Sequence, residues 1–185
     1  MSYEQVARRL RLPLGFVLAA LYLAFGPRPS ALTLAVGSVM ALVGLGIRAW
    51  AAGHIVKNDR LATTGPYAHT RNPLYFGSFL IAAGFAVAAH WSLLLIVVAF
   101  FAFVYGPTIE KERAKISARF PDAYSRWEQN VPAFVPRPTA WRDPMVGDGE
   151  RFSPSLYMRH GEWKAALGFI LALAWLVLRM RVDLW

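Results

Sequence analysis

Apolar residues in this chain fall in long unbroken runs, not in the narrow stripe of a soluble amphipathic helix. The first is Leu12–Phe25, after Arg8, Arg9 and Arg11. Ser30, a capping residue, opens the second, which reaches about Val56. Leu74–Ala89 and Trp91–Tyr105 are the third and fourth, separated only by His90. Glu162 to about Arg179 is the fifth. Runs of this length and polarity read as transmembrane helices. The pattern predicts an all-α, polytopic membrane protein of about five transmembrane helices, near 12–25, 31–56, 74–89, 91–106 and 163–180.

Details of the runs refine this picture. Gly26-Pro27-Arg28-Pro29, with no small-x-small cleavage site, follows the first run, so it reads as an uncleaved span; a shallow or re-entrant helix is the alternative. The third and fourth form a tight hairpin. Each covers roughly 23 Å at ~1.5 Å per residue, short of a ~30 Å hydrocarbon core. Either the hairpin thins the membrane or the fourth helix continues past Gly106-Pro107 with a kink. Gly37 and Ala41, and Ala49 and Gly53, are four apart, and Ser78, Ala82 and Ala86 repeat every four residues, which predicts close helix packing on those faces. Arg48, inside the second run, serves a function or snorkels to the interface.

The polar stretches complete a single domain over residues 1–185. Segment 57–75 joins the second and third spans. Thr108–Phe120 is a charged amphipathic helix. Phe120–Arg142 mixes aromatics with four prolines and reads as packed, irregular chain; with the helix before it, it makes a cofactor-capping segment at about 108–137. Asp143–Ser155 reads as a flexible polar loop.

Charge fixes the orientation. The net charge is +9, yet only 17% of residues are charged and 56% are apolar, so the excess follows the positive-inside rule and no nucleic-acid partner is implied. With five spans and a cytoplasmic N-terminus, sixteen of the twenty Lys and Arg lie on the cytoplasmic side. The Gly65 loop and the Glu112 helix then share that face of what would be the inner membrane. No cysteine is present, which removes disulfides and thiolate metal sites.

The candidate chemistry is concentrated at one loop. Gly65–Ser78 reads GPYAHTRNPLYFGS, with φ fixed at Pro66 and Pro73 and with Tyr67, Arg71, Asn72 and Tyr75 between two apolar runs. Arg71 can fork onto a carboxylate or phosphate, the tyrosines can face a cation, and Glu112 can take an ammonium or act as a base. Tyr124 and Trp127 are further candidates. The competing view makes Tyr67, Tyr75 and Trp127 interfacial belt residues and Glu112 one solvated charge among many. Strand–helix alternation, G-x-S-x-G and H-E-x-x-H are all missing, and the four histidines lack metal-ligand spacing, so no metal is expected.

GPYAHTRNPLYFGS resembles the GPYxxxRHPxY motif of the isoprenylcysteine carboxyl methyltransferases, and its NPLYFGS resembles the NPMYWGS of the phosphatidylethanolamine N-methyltransferases. FPDAYSRWEQNVP at 120–132 resembles the FGxxYxxYxxRVP of the carboxyl methyltransferases. Either pattern, laid on without gaps, puts the first residue of its Glu-Glu pair on Glu112. The resemblance spans roughly Ile47 to Pro136. It implies an integral-membrane methyltransferase that uses S-adenosylmethionine, with a lipidic acceptor arriving from the bilayer. It also implies a cofactor site lined by Gly65, Pro66, Tyr67, Arg71, Asn72, Pro73 and Tyr75, with Glu112 beside it and Glu112 and Arg71 as the catalytic pair. Of the two early Gly-x-Gly candidates, Ala35-Val36-Gly37 and Gly44-Leu45-Gly46, neither is preferred. Three positions depart from the families: Asn72 replaces the motif His, as in the phospholipid enzymes; Arg113 replaces the second Glu; Asn130 replaces the Arg before Val-Pro. The last disfavours a carboxylate acceptor and leaves amine or hydroxyl acceptors open, with the phospholipid-amine type favoured over the isoprenylcysteine carboxylate. A nicotinamide-dependent lipid or steroid reductase and a non-catalytic membrane scaffold are the alternatives.

Overall fold

The computed structural model describes residues 3–54, 61–145 and 151–181, with side chains from Pro13 onward. Eight helices are formed among them: α1 (Tyr3–Phe25), α2 (Ala31–Ala52), α3 (Pro73–Ala89), α4 (Leu93–Phe100), α5 (Gly106–Arg119), α6 (Pro121–Asn130), α7 (Pro154–His160) and α8 (Trp163–Arg181). No strand is present among the described residues. Three helices are long and apolar enough to cross a membrane: α2, the continuous rod Leu93–Arg119, and α8. Pro13–Phe25 of α1 and all of α3 are apolar but shorter. Five apolar helices therefore exist where the runs predicted them, and three reach spanning length unaided. The second span ends at Ala52, capped by Gly53, short of the expected end near Val56; the start of the 57–75 segment and part of the 143–155 loop lie outside the described residues.

α2 begins where the pattern placed it. Ser30 accepts from the Thr33 amide while Thr33 reaches back to the Ser30 amide, a reciprocal cap. α2 and α3 then run antiparallel as the core pair. Gly37 lies against the Gly84 carbonyl and Ala88, and Gly44 against the Gly77 carbonyl and Ile81, so the backbones touch where side chains are missing. The expected packing face of α3, Ser78–Ala82–Ala86, is corrected here. Steps of four overshoot the 3.6-residue turn and drift around the helix; Gly77, Ile81, Gly84 and Ala88 keep facing α2, while Ser78, at the edge, meets Arg48 of α2 as well as the cavity that Ala82 and Ala86 line on the neighbouring face.

A side chain at Gly84 would strike the Gly37 carbonyl and come within 2.9 Å of the Ala41 amide. Gly84→Val is expected to cost about 1–3 kcal/mol, read as a lower melting temperature in detergent. Gly46→Ala, with nothing within 4 Å of its Cβ, should be neutral or mildly stabilising in the same assay.

The fourth span does not stop near residue 106. α4 passes through a wide turn at Phe101–Tyr105, closed by the Gly106 amide on the Phe101 carbonyl, and continues directly into α5. Gly106 and Pro107 occupy the first turn after it, where a missing N–H is tolerated. The 120–142 segment is also corrected, because Pro121–Asn130 within it is helical. Pro121 occupies the first position of α6, and the other three prolines all follow Val131. At the opposite end of the bundle, Trp175 and Arg179 of α8 both donate to the Leu23 carbonyl near the end of α1.

Candidate functional site

The loop between α2 and α3 is built from its own punctuation. Gly65 has φ +57°, open to glycine, and a side chain there would meet the His54 ring at 2.6 Å. Pro66 starts a single tight turn, Gly65–Ala68, that buries Pro66, Tyr67 and Ala68. Pro73, fully buried, starts α3. These residues shape the loop.

The chain after α6 returns and zips onto it. The Arg71 amide donates to the Pro132 carbonyl at 2.9 Å, Arg137 to His69 at 2.9 Å, and Trp141 to Ala68 at 3.0 Å. Thr70 Oγ1 donates to Phe134, and Asn72 Nδ2 to Ala133, each at 2.9 Å. Trp127 Nε1 donates to the Tyr67 carbonyl at 2.8 Å. α6 and its extension thus cap the loop. Tyr67 and Trp127 are only 6% and 3% exposed, so neither is a belt residue at a membrane surface.

Two polar clusters sit at this end of the bundle. In the first, Arg71 Nη1 donates to Glu128 Oε1 at 2.5 Å and to the Tyr124 hydroxyl at 2.9 Å. Arg113 Nε reaches the same Glu128 oxygen at 2.6 Å, so one carboxylate joins loop, α5 and α6. Arg71 is nearly buried, and its Nε has no partner among the described residues. In the second, the Tyr75 hydroxyl donates to Glu112 Oε1 at 2.8 Å, and Tyr105 packs edge-on against Tyr75. Loop and Glu112 therefore meet, as expected of elements on the same membrane face. Glu112 itself is exposed. The Tyr67 hydroxyl is buried without a partner among the described residues; burial pushes its ionisation upward, with Glu162 and then Glu112 adding to the effect and Arg48 opposing it. Of the expected site residues, Tyr67, Arg71, Tyr75 and Glu112 bring polar atoms to this end, whereas the Asn72 amide is committed to holding the cap.

Sequence reasoning missed two acids. Glu128 follows Tyr124 by four residues on one face of α6, a spacing legible only once that stretch is read as helix. Glu162 stands just before α8, where an acid suits the helix dipole. It takes a two-pronged contact from Arg48, Nε to Oε2 at 2.9 Å and Nη2 to Oε1 at 2.8 Å. Arg48 Nη1 also reaches Ser78 Oγ at 2.5 Å. Arg48 is thus tied inward and does not snorkel. Of the Gly-x-Gly candidates, Gly44-Leu45-Gly46 is the one near this end, a turn before Arg48.

Glu128 makes the cap pH-sensitive. Hydrogen bonding from Arg113 foremost, and then from Arg71, holds its carboxyl below the usual range. A depressed acid stabilises the fold above its unfolded value, about 4.3, and that contribution disappears as pH falls through the lower folded value. The protection of α6 amides, relative to their intrinsic exchange at each pH, should therefore hold down to about pH 4.3 and fall below it. Glu128→Gln should flatten this profile.

Beside the polar end lies an apolar cavity of about 500 Å³ between α1, α3 and the α4 rod. It extends from Pro27 and Leu93 to Ser78 and Tyr105, and no charged residue lines it. Among the described residues, no group of three or more His, Asp or Glu converges to hold a metal.

Residues 30–120, from the cap of α2 to the end of α5, match the family model described as phospholipid methyltransferase. This stretch is similar to the phospholipid methyltransferase family over just under half of the chain. It contains the α2–α3 core, the loop and Glu112, while α6, α7 and α8 lie beyond it. The nickel-cobalt-cadmium resistance protein NccN of Alcaligenes xylosoxydans xylosoxydans is 36% identical over 109 residues, 57% of this chain and 49% of that protein. The cobalt-zinc-cadmium resistance protein CzcN of Cupriavidus metallidurans is 33% identical over 118 residues, 62% of this chain and 53% of that protein. The chain spans about half the length of these curated relatives. No solved structure matches it.

Proposed function

We propose that the chain is a membrane-embedded methyltransferase that uses S-adenosylmethionine and methylates a lipidic acceptor, an amine of the phospholipid type. The observation that carries this is the meeting of the domain's loop with Glu112 beside a long uncharged cavity. The residues present fit the donor. It needs acceptors for an ammonium, a donor for a carboxylate and aromatic surface. Glu112, the unpartnered Arg71 Nε and the unpartnered Tyr67 hydroxyl supply the polar part, and Tyr67 and Tyr75 the aromatic part. When bound, the cofactor supplies an electrophilic methyl group on a sulfonium.

The chain's own residues do the rest. Arg71, locked by Glu128 and Tyr124, orients the polar ends. α6 and its extension exclude water over Tyr67. Glu112, held by the Tyr75 hydroxyl, anchors the ammonium or accepts a proton from the acceptor. The apolar cavity aligns the acceptor's hydrocarbon with Tyr105 and Ser78 at the polar end. The family description supports the phospholipid-amine class, and Asn130 in place of a motif arginine argues in the same direction. The cytoplasmic orientation rests on the basic residues at this end.

The test is lipid mass spectrometry of membranes with and without the chain, combined with calorimetry of the purified protein. A lipid gaining one methyl mass, and heat with S-adenosylhomocysteine, are expected. Heat with a nicotinamide dinucleotide instead would favour the reductase reading.

A further inference from the structure

The charge pair between α2 and α8 lies outside the loop motif, and its acidic partner lies outside the matched domain. Arg48 spends Nε and Nη2 on Glu162, and Nη1 on Ser78 and the Leu74 carbonyl at 3.3 Å. α3 is shaped to receive it. A side chain at Gly77 would come within 2.6 Å of Arg48 Cγ, so the Gly-Ser of the NPLYFGS stretch forms a seat for this arginine. The carboxylate is 12% exposed and the guanidinium 22%, so both are largely desolvated. Arg48 takes two of the roughly four lone-pair sites that a carboxylate offers. The others remain.

Those lone pairs belong to a site that is short of a ligand. Tyr67 packs in one cluster with Ala51, Leu74 and Ile116: one turn beyond Arg48, at the carbonyl Arg48 binds, and one turn beyond Glu112. Its hydroxyl is buried and unpartnered. Glu162 is brought to this cluster by Arg48, which forks onto it and donates to the Leu74 carbonyl. Glu112 takes one hydroxyl and Glu162 one guanidinium, so both carboxylates keep acceptor capacity for a cation.

We propose that Glu162 is the second carboxylate of the donor site and that it sets the preference for a cationic over a neutral ligand, with Arg48 as its positioning residue. This rests on the methyltransferase reading. α8 then contributes a binding residue as well as a span. If the pair were only a tie between helices, breaking it would weaken every ligand alike.

The experiment is calorimetry of the full chain in detergent with S-adenosylmethionine, which carries the sulfonium, and with S-adenosylhomocysteine, which does not. The readout is the ratio of the two affinities, with melting temperature alongside. Glu162→Gln should lower the ratio about tenfold, mostly through the cationic ligand. Arg48→Met, which leaves the carboxylate without its counter-charge, should raise it. Opposite signs from the two ends of one contact support the proposal; an unchanged ratio in both variants overturns it. If either single variant fails to fold, Arg48→Met/Glu162→Leu decides, since an apolar pair can replace a buried ionic one. The ratio should then still fall, because the carboxylate nearer the ligand has gone; no change overturns the proposal. A wild-type chain that binds neither compound would sink the donor-site reading itself, and this inference with it. One that binds both with a ratio indifferent to Glu162 would sink the inference alone.

Discussion

Arg71→Leu should lower methyl transfer by at least a hundredfold and loosen α6 in the same step. Among the described residues of the loop, the guanidinium is the one group that bonds both Tyr124 and Glu128. Without it, Tyr124 loses its donor and Glu128 retains Arg113 alone. Losing a charge-assisted hydrogen bond of this kind costs on the order of 1.5–3 kcal/mol. The melting temperature should therefore fall, and amide exchange across α6 should rise. Arg71→Lys separates the two effects. A lysine restores charge but lacks the planar fork, so stability should partly recover while turnover stays low. Transfer of a labelled methyl group into extracted lipid, read beside a thermal melt, checks both. Full activity in Arg71→Leu would place the donor elsewhere.

Glu112→Gln should cut turnover by well over tenfold while leaving the fold alone. The side chain is exposed, and glutamine keeps an oxygen for the Tyr75 hydroxyl, so stability has little reason to change. The kinetic form of the loss is informative. A fall in kcat at constant KM for the donor marks Glu112 as the proton acceptor. A rise in that KM marks it as an anchor for the ammonium. Near-normal kinetics would remove Glu112 from the site.

Much of this arrangement is legible in the residues. Unbroken apolar runs fixed where the membrane helices lie, because no other environment rewards that composition over such lengths. Ser30 marked the start of α2, and the loop motif and Glu112 came together as their shared membrane face required. Three features were hidden. α6 was masked by its flanking prolines, whose meaning depends on whether each falls at the start of a helix or after it. The packing face of α3 was misread because small residues four apart look like a stripe and slowly wind away from it. Glu128 and Glu162 were visible as charges, but Glu128 pairs with Arg113 and Arg71, 15 and 57 residues away, and Glu162 with Arg48, 114 away, and no helical spacing names those partners.

The widened turn at Phe101–Tyr105 sets the angular phase of the whole rod. One extra residue in a helical turn swings everything beyond it by about 100°. Ahead of that point, Phe101 looks into the greasy chamber; past it, Glu112 meets Tyr75. Both are mounted on the same stiff shaft, with no flexible joint between them. The spacing between the hydrocarbon end and the acid is therefore set by register alone, and a gain or loss of one residue between positions 101 and 112 would turn the carboxylate away from its hydroxyl partner.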